Sequence, residues 1–182
     1  MSIPEKYKWL ETIGTLPKTI SIGLTYLGTR ETVGKGSNRT IMEWRDRLNH
    51  GGVLIDGYSD DDIPWCGLFV AWVAYCRGDA SEVVQSPLWA RNWLKYGKTV
   101  ATPMLGDVLV FSRNGGGHVG LYIAEDASAY HVLGGNQSNA VTITRIEKAR
   151  CIGSRRPLYK NQPSTVKTYI VAASGTLSKN ES

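Results

Sequence analysis

Apolar positions along the chain recur with two different periods, and the change falls near Pro103. Before it the spacing is helical. YKWLET, residues 7–12, starts a short helix, and TISIGLTYL, residues 19–27, predicts a second that stops at Gly28. GTRETVGKGSNRT is rich in Gly and polar residues and reads as a loop. In IMEWRDRLNHGG the amphipathic set Ile41, Trp44 and Leu48 predicts a third helix, capped by Asn38 or Thr40 and closed by a Gly pair. IPWCGLFVAWVAYCRG is apolar on nearly every side and predicts the central buried helix, with Pro64 near its start and Gly78 at its stop. SPLWARNWLKYG, residues 86–97, predicts one more helix. After Pro103 come GDVLVFSR, HVGLYIAED, AYHVLGG, AVTITRI and CIGSRRP, short β-branched and aromatic runs separated by turn residues. Helices followed by consecutive strands predict an α+β domain, with N-terminal helices packed on a central antiparallel sheet. The expected domain is residues 1–158, with 159–182 as a C-terminal tail or attachment segment.

Length and composition fit that picture. The 182 residues, 42% hydrophobic and 20% charged, suit one folded domain rather than two. No apolar run approaches the roughly 18 residues of a membrane span. The N-terminus does not read as a signal peptide, so a target outside the cytoplasm is expected to be reached through a pore, an export machine or a particle. The net charge of +5 favours polyanionic partners, including anionic cell-envelope polymers. A modest basic cluster, Arg145, Lys148, Arg150, Arg155 and Arg156, reads as solvated surface or binding patch; without a nucleic-acid-binding signature, no nucleic-acid partner is expected.

The three cysteines are oddly numbered and irregularly spaced, which argues against a disulfide framework or zinc site. Cys76 and Cys151 read as buried small hydrophobes. Cys66 differs. Pro64-Trp65-Cys66 puts its thiol in the first turn of the apolar helix, where free N–H groups and the helix dipole favour a thiolate. Gly67 would leave room for substrate, and the Cys66 N–H would help hold an oxyanion. His118 opens a strand directly after Asn114-Gly115-Gly116-Gly117, which suits a general base facing a cleft. His50 reads as a solvent-facing helix end. The group orienting the imidazole is Asn136, in Gly134-Gly135-Asn136-Gln137, or His131. Trp65 and Trp89 are expected in the core rather than lining a groove, and Asp60, Asp61 and Asp62 in a solvated loop rather than recognising an amine.

Taken together, PWC at a helix head, GDVLVFSR, GHVGLYIAED, VLGGNQSNAV and SRRP resemble the NlpC/P60 and CHAP superfamily. The likeness is nearest to a phage-associated subfamily with an LGGNQ motif, and YLGTRETVG and SNRTI extend it over about residues 7–158. The resemblance implies a papain-like fold and cleavage of a peptidoglycan amide, within the stem peptide or at the muramoyl-L-alanine link. It carries the nucleophile onto Cys66, the base onto His118 and the orienting residue onto Asn136, or His131 by the NlpC/P60 pattern. Gly134 stands where a Glu often occurs in CHAP relatives. The expected enzyme needs no metal or cofactor. It is an endolysin or virion-associated lysin, made in the host cytoplasm, acting on the cell wall and delivered on a virion or through a holin pore. The competing reading is a structural or binding component of a phage particle without turnover.

Overall fold

Asn38 shows how local chemistry starts the helical half. Its side-chain oxygen accepts the N–H groups of Thr40 and Ile41 at 2.8 and 3.4 Å, satisfying donors that a helix start leaves free. Helix α2, Arg39–His50, follows and buries Ile41, Trp44 and Leu48. Helix α1, Lys18–Thr25, precedes it, and helix α3, Cys66–Arg77, is the central one. The computed structural model describes residues 2–173, 175–178 and 181.

α3 is buried from Cys66 to Ala74 because α1, α2 and the sheet cover it on different sides. Leu68, Phe69, Ala71 and Val73 have no exposed surface. Each large side chain so buried contributes about 1.5–3 kcal/mol, and truncating Phe69 to Ala would cost about 3–5 kcal/mol. The last turn emerges into solvent, so Cys76 is exposed; Cys151, on the sheet, is only partly buried, where sequence led us to expect both inside.

The sheet has six antiparallel strands in the order β1-β6-β2-β3-β4-β5: β1 Lys98–Thr99, β2 Val108–Arg113, β3 Gly116–Glu125, β4 Ala129–Gly134, β5 Thr142–Glu147 and β6 Cys151–Arg156. The architecture is therefore the predicted α+β one. Val110, Val119, Leu121 and Ile123 join the helix-side core, and Leu109, Phe111, Tyr122, Val132 and Ile146 form a second cluster.

Two predicted helices tighten into 3-10 turns, Glu5–Glu11 and Ala90–Lys95. In the second, side chains compete for the carbonyls that would begin an α-helix. Asn92 Nδ2 donates to the Gln85 and Ser86 carbonyls, and Trp93 Nε1 to that of Pro87. Trp93 goes into the core, whereas Trp89, expected beside it, is 73% exposed.

The basic cluster is largely spent within the molecule. Arg145 pairs with Asp126, Lys148 with Glu125, Arg150 with Glu181 and Arg156 with Asp107. Arg155 donates to the carbonyls of Tyr96 and Gly97. Beyond β6, the chain runs back along the domain: Leu105 N–H donates to the Lys167 carbonyl, and Leu177 pairs with Arg145 of β5.

Candidate active site

Cys66 is the first residue of α3, with Trp65 at the cap position. Trp65 is fully buried, as expected, and its Nε1 donates to Glu31 Oε1 at 2.6 Å, anchoring the head of the helix. Gly67 does not open a path to the sulfur. A Cβ there would lie 2.2 Å from the Pro87 carbonyl oxygen and 2.8 Å from that of Leu88. Its missing side chain is what lets that loop sit on the helix.

The sulfur faces the N–H of Val119, the residue after His118, which places the thiol beside the start of β3. Burial pushes the thiol pKa up. The Val119 N–H, the Arg113 charge and the N–H groups of Gly67 and Cys66 pull it down without reversing the shift. Burial here works against the thiolate that the place of Cys66 on the helix favours.

His118 is 1% exposed. Its Nε2 lies 3.1 Å from Gln137 Oε1. The Gln137 amide cannot be turned round, because its Nε2 donates to two carbonyl oxygens, Val132 at 3.1 Å and Thr142 at 2.7 Å. Oε1 therefore faces the imidazole and accepts, so His118 Nε2 carries the proton. Nδ1 is left as the basic nitrogen. Burial lowers the His118 pKa to about 4; the Glu181 charge and the Gln137 bond oppose that, while Arg113 and Arg150 add to it.

Gly134 and Gly135 make this bond possible. A Cβ at Gly134 would lie 2.8 Å from Gln137 Oε1 and 3.2 Å from His118 Nε2. One at Gly135 would lie 2.6 Å from Phe69 Cβ and 2.7 Å from the Trp65 ring. The turn thus presses onto the head of α3 and delivers Gln137 to the imidazole. Asn136 has φ of +54°, a left-handed conformation that Asn tolerates better than most residues. Its side-chain oxygen is buried and has no hydrogen-bond partner among the described residues. Neither candidate for the third position, Asn136 or His131, bonds His118 among the described residues; Gln137, the neighbour of Asn136, does.

His131 lies elsewhere. It pairs with Ala124 in the β3–β4 register, six residues along β3 from His118, or roughly 20 Å at strand spacing. It accepts from Tyr7 OH at Nδ1, 2.7 Å, and donates from Nε2 to Asp126 Oδ2, 2.9 Å. His50 is exposed and bonds the Asp46 carbonyl.

Glu181 is fully buried and bonds Arg150 through both oxygens, at 2.8 and 2.7 Å. Arg150 Nε in turn donates to the Ser112 carbonyl on β2, beside Phe111, the register partner of His118. The Glu181 charge is the strongest upward influence on the His118 pKa. Nothing local in the sequence signals this contact.

Asp61 corrects the expectation of a solvated acidic loop. It is fully buried, and Oδ2 accepts the N–H groups of Thr32 and Asn38 at 3.0 and 2.7 Å. Asp60, Asp61 and Asp62 each bring one carboxylate oxygen within 4.8 Å of the others, the arrangement among the described residues that could hold a cation.

Comparison with known proteins comes down to one family match. No curated protein matches the chain. Residues 58–136 match the model of the CHAP domain, whose members are typically cysteine/histidine-dependent amidohydrolases. The match suggests a peptidoglycan hydrolase or amidase. It takes in Cys66 and His118 and ends one residue before Gln137. The α+β fold is consistent with a CHAP, papain-like domain, and the chain is consistent with membership of the NlpC/P60–CHAP superfamily.

Proposed function

We propose that the protein hydrolyses an amide bond of peptidoglycan, within the stem peptide or at the muramoyl-L-alanine link, with Cys66 as nucleophile and His118 as base. The observation that carries this reading is the placement of the Cys66 sulfur against the N–H of Val119, the residue after His118, whose bond to Gln137 fixes a tautomer with Nδ1 basic. Gln137 takes the orienting role, and Asn136 the turn that delivers it.

In the reaction His118 Nδ1 takes the thiol proton as the sulfur attacks the amide carbonyl. Charge then develops on the carbonyl oxygen, where the Cys66 N–H at the helix start can stabilise it. The imidazolium returns its proton to the leaving amine, and water, activated by the same nitrogen, releases the acyl group from the thioester. Burial works against the charged form of both groups, so the proton is expected to move only once substrate fills the site. The Gln137 oxygen accepts from Nε2 throughout and stabilises the transient imidazolium.

The phage setting, as endolysin or virion-associated lysin delivered on a particle or through a holin pore, is supported by the resemblance of VLGGNQSNAV, YLGTRETVG and SNRTI. Purified protein is expected to release soluble fragments from cell walls, and Cys66→Ala or His118→Ala to abolish release. A Cys66→Ala protein that clears walls as well as its parent would refute the mechanism.

A further inference from the structure

Among the described residues, Trp89 is the one large aromatic left mostly outside the core, 73% exposed. Its position is fixed from both sides. Pro87 and Leu88 lie against Gly67, the neighbour of Cys66, while Ala90 and Arg91 lie against Gly117, the neighbour of His118. The indole therefore stands on a short bridge between the elements that bear the two reacting groups.

Trp89 also walls a groove of about 520 Å³ whose lining includes Leu54, Asp56, Val84 and Gln85. Although the chain carries a net charge of +5, no Lys, Arg or His is among the described residues lining this groove. Its one formal charge is the Asp56 carboxylate. A peptide rich in carboxylates would meet uncompensated negative charge there, whereas a neutral saccharide would not. An open indole face beside a carboxylate and an amide is suited to a sugar ring. The ring's C–H face packs on the aromatic surface, and its hydroxyl and acetamido groups find partners in Asp56 and Gln85.

We propose that this groove binds the glycan strand of the substrate, with an N-acetylated hexosamine ring stacked on Trp89. The inference rests on the peptidoglycan reading above and extends it: the glycan is held by the groove, and the attached peptide reaches Cys66.

The test is binding of tetra-N-acetylchitotetraose to Cys66→Ala protein, followed by NMR of the indole N–H groups, so that no turnover is needed. Saturable binding that shifts the Trp89 signal is expected. Trp89→Ala should weaken it by about tenfold or more, and Trp89→Phe, which keeps an aromatic face, should retain most of it. Absence of saturable binding, equal affinity in Trp89→Ala, or displacement by a sugar-free stem tetrapeptide would overturn the proposal. Sugar binding without wall cleavage by the parent protein would sink the hydrolase reading and leave the groove. Cleavage without sugar binding would remove the groove alone.

Discussion

His118 and His131 lie on adjacent strands, both are buried, and burial lowers the pKa of both, yet they are built for different ends. His131 has a fixed partner on each nitrogen, Tyr7 and Asp126, and Asp126 is itself held by Arg145, Ser128 and Ala129. Such a network joins the N-terminal segment to the sheet and leaves no nitrogen for chemistry. His118 has one nitrogen pinned by Gln137 and the other left basic, and the Cys66 sulfur faces the N–H of Val119, the next residue on the strand. Burial alone does not mark a histidine for the base role proposed for His118. What separates the two is whether the second nitrogen is already spoken for.

The comparison breaks most visibly by substitution. His131→Ala should cost about 3 kcal/mol or more of stability, because it leaves Tyr7 and Asp126 short of a buried partner. Wall cleavage per folded molecule should nevertheless persist. Gln137→Ala should do the reverse, lowering kcat by about 10- to 100-fold through a loosened imidazole, with a smaller change in melting temperature. Equal losses of activity in the two variants would erase the distinction.

Acid stability sharpens it. The folded pKa of His118, about 4, lies below its ordinary 6.5, so the unfolded chain binds more protons between those values. Stability should therefore fall as pH drops from 6.5 toward 4, by up to roughly 3 kcal/mol from this group. His131 adds a loss of the same sign. Denaturant unfolding of His118→Asn should show a shallower acid slope than the parent, and an unchanged slope would contradict the assignment.

The smallest effect concerns Glu181. Removing its charge by Glu181→Gln leaves Arg150 and Arg113 acting on His118 with less opposition. The His118 titration, followed by NMR in a Cys66→Ala background, should move further down. A shift upward, or none, would show that Glu181 does not act on the imidazole.

Much of this was readable in the residues. Pro64 ahead of a run apolar on all sides marked both the start and the burial of α3, whereas β3 begins at Gly116, so that His118 is its third residue and not its first. Gln137 was not readable. Asn136 matched the motif, but its positive φ swings the chain so that the next side chain reaches the histidine, and Gly134 leaves the space for it. The sign of φ at a non-glycine residue is not encoded in any hydrophobic pattern. Trp89 was misplaced for a related reason: the helix predicted around it gave way to a 3-10 turn once Asn92 and Trp93 took the preceding carbonyls. Glu181 is held in its place by a two-oxygen contact with Arg150, far from it in sequence.

The central claim, that the thiol of Cys66 cuts a peptidoglycan amide, is tested most directly by mass spectrometry of fragments released from purified cell walls. The parent protein should yield products that each gain one water across a single type of amide bond, and Cys66→Ala should yield none. Release of the same fragments by Cys66→Ala, or cleavage at glycosidic rather than amide bonds, would contradict it.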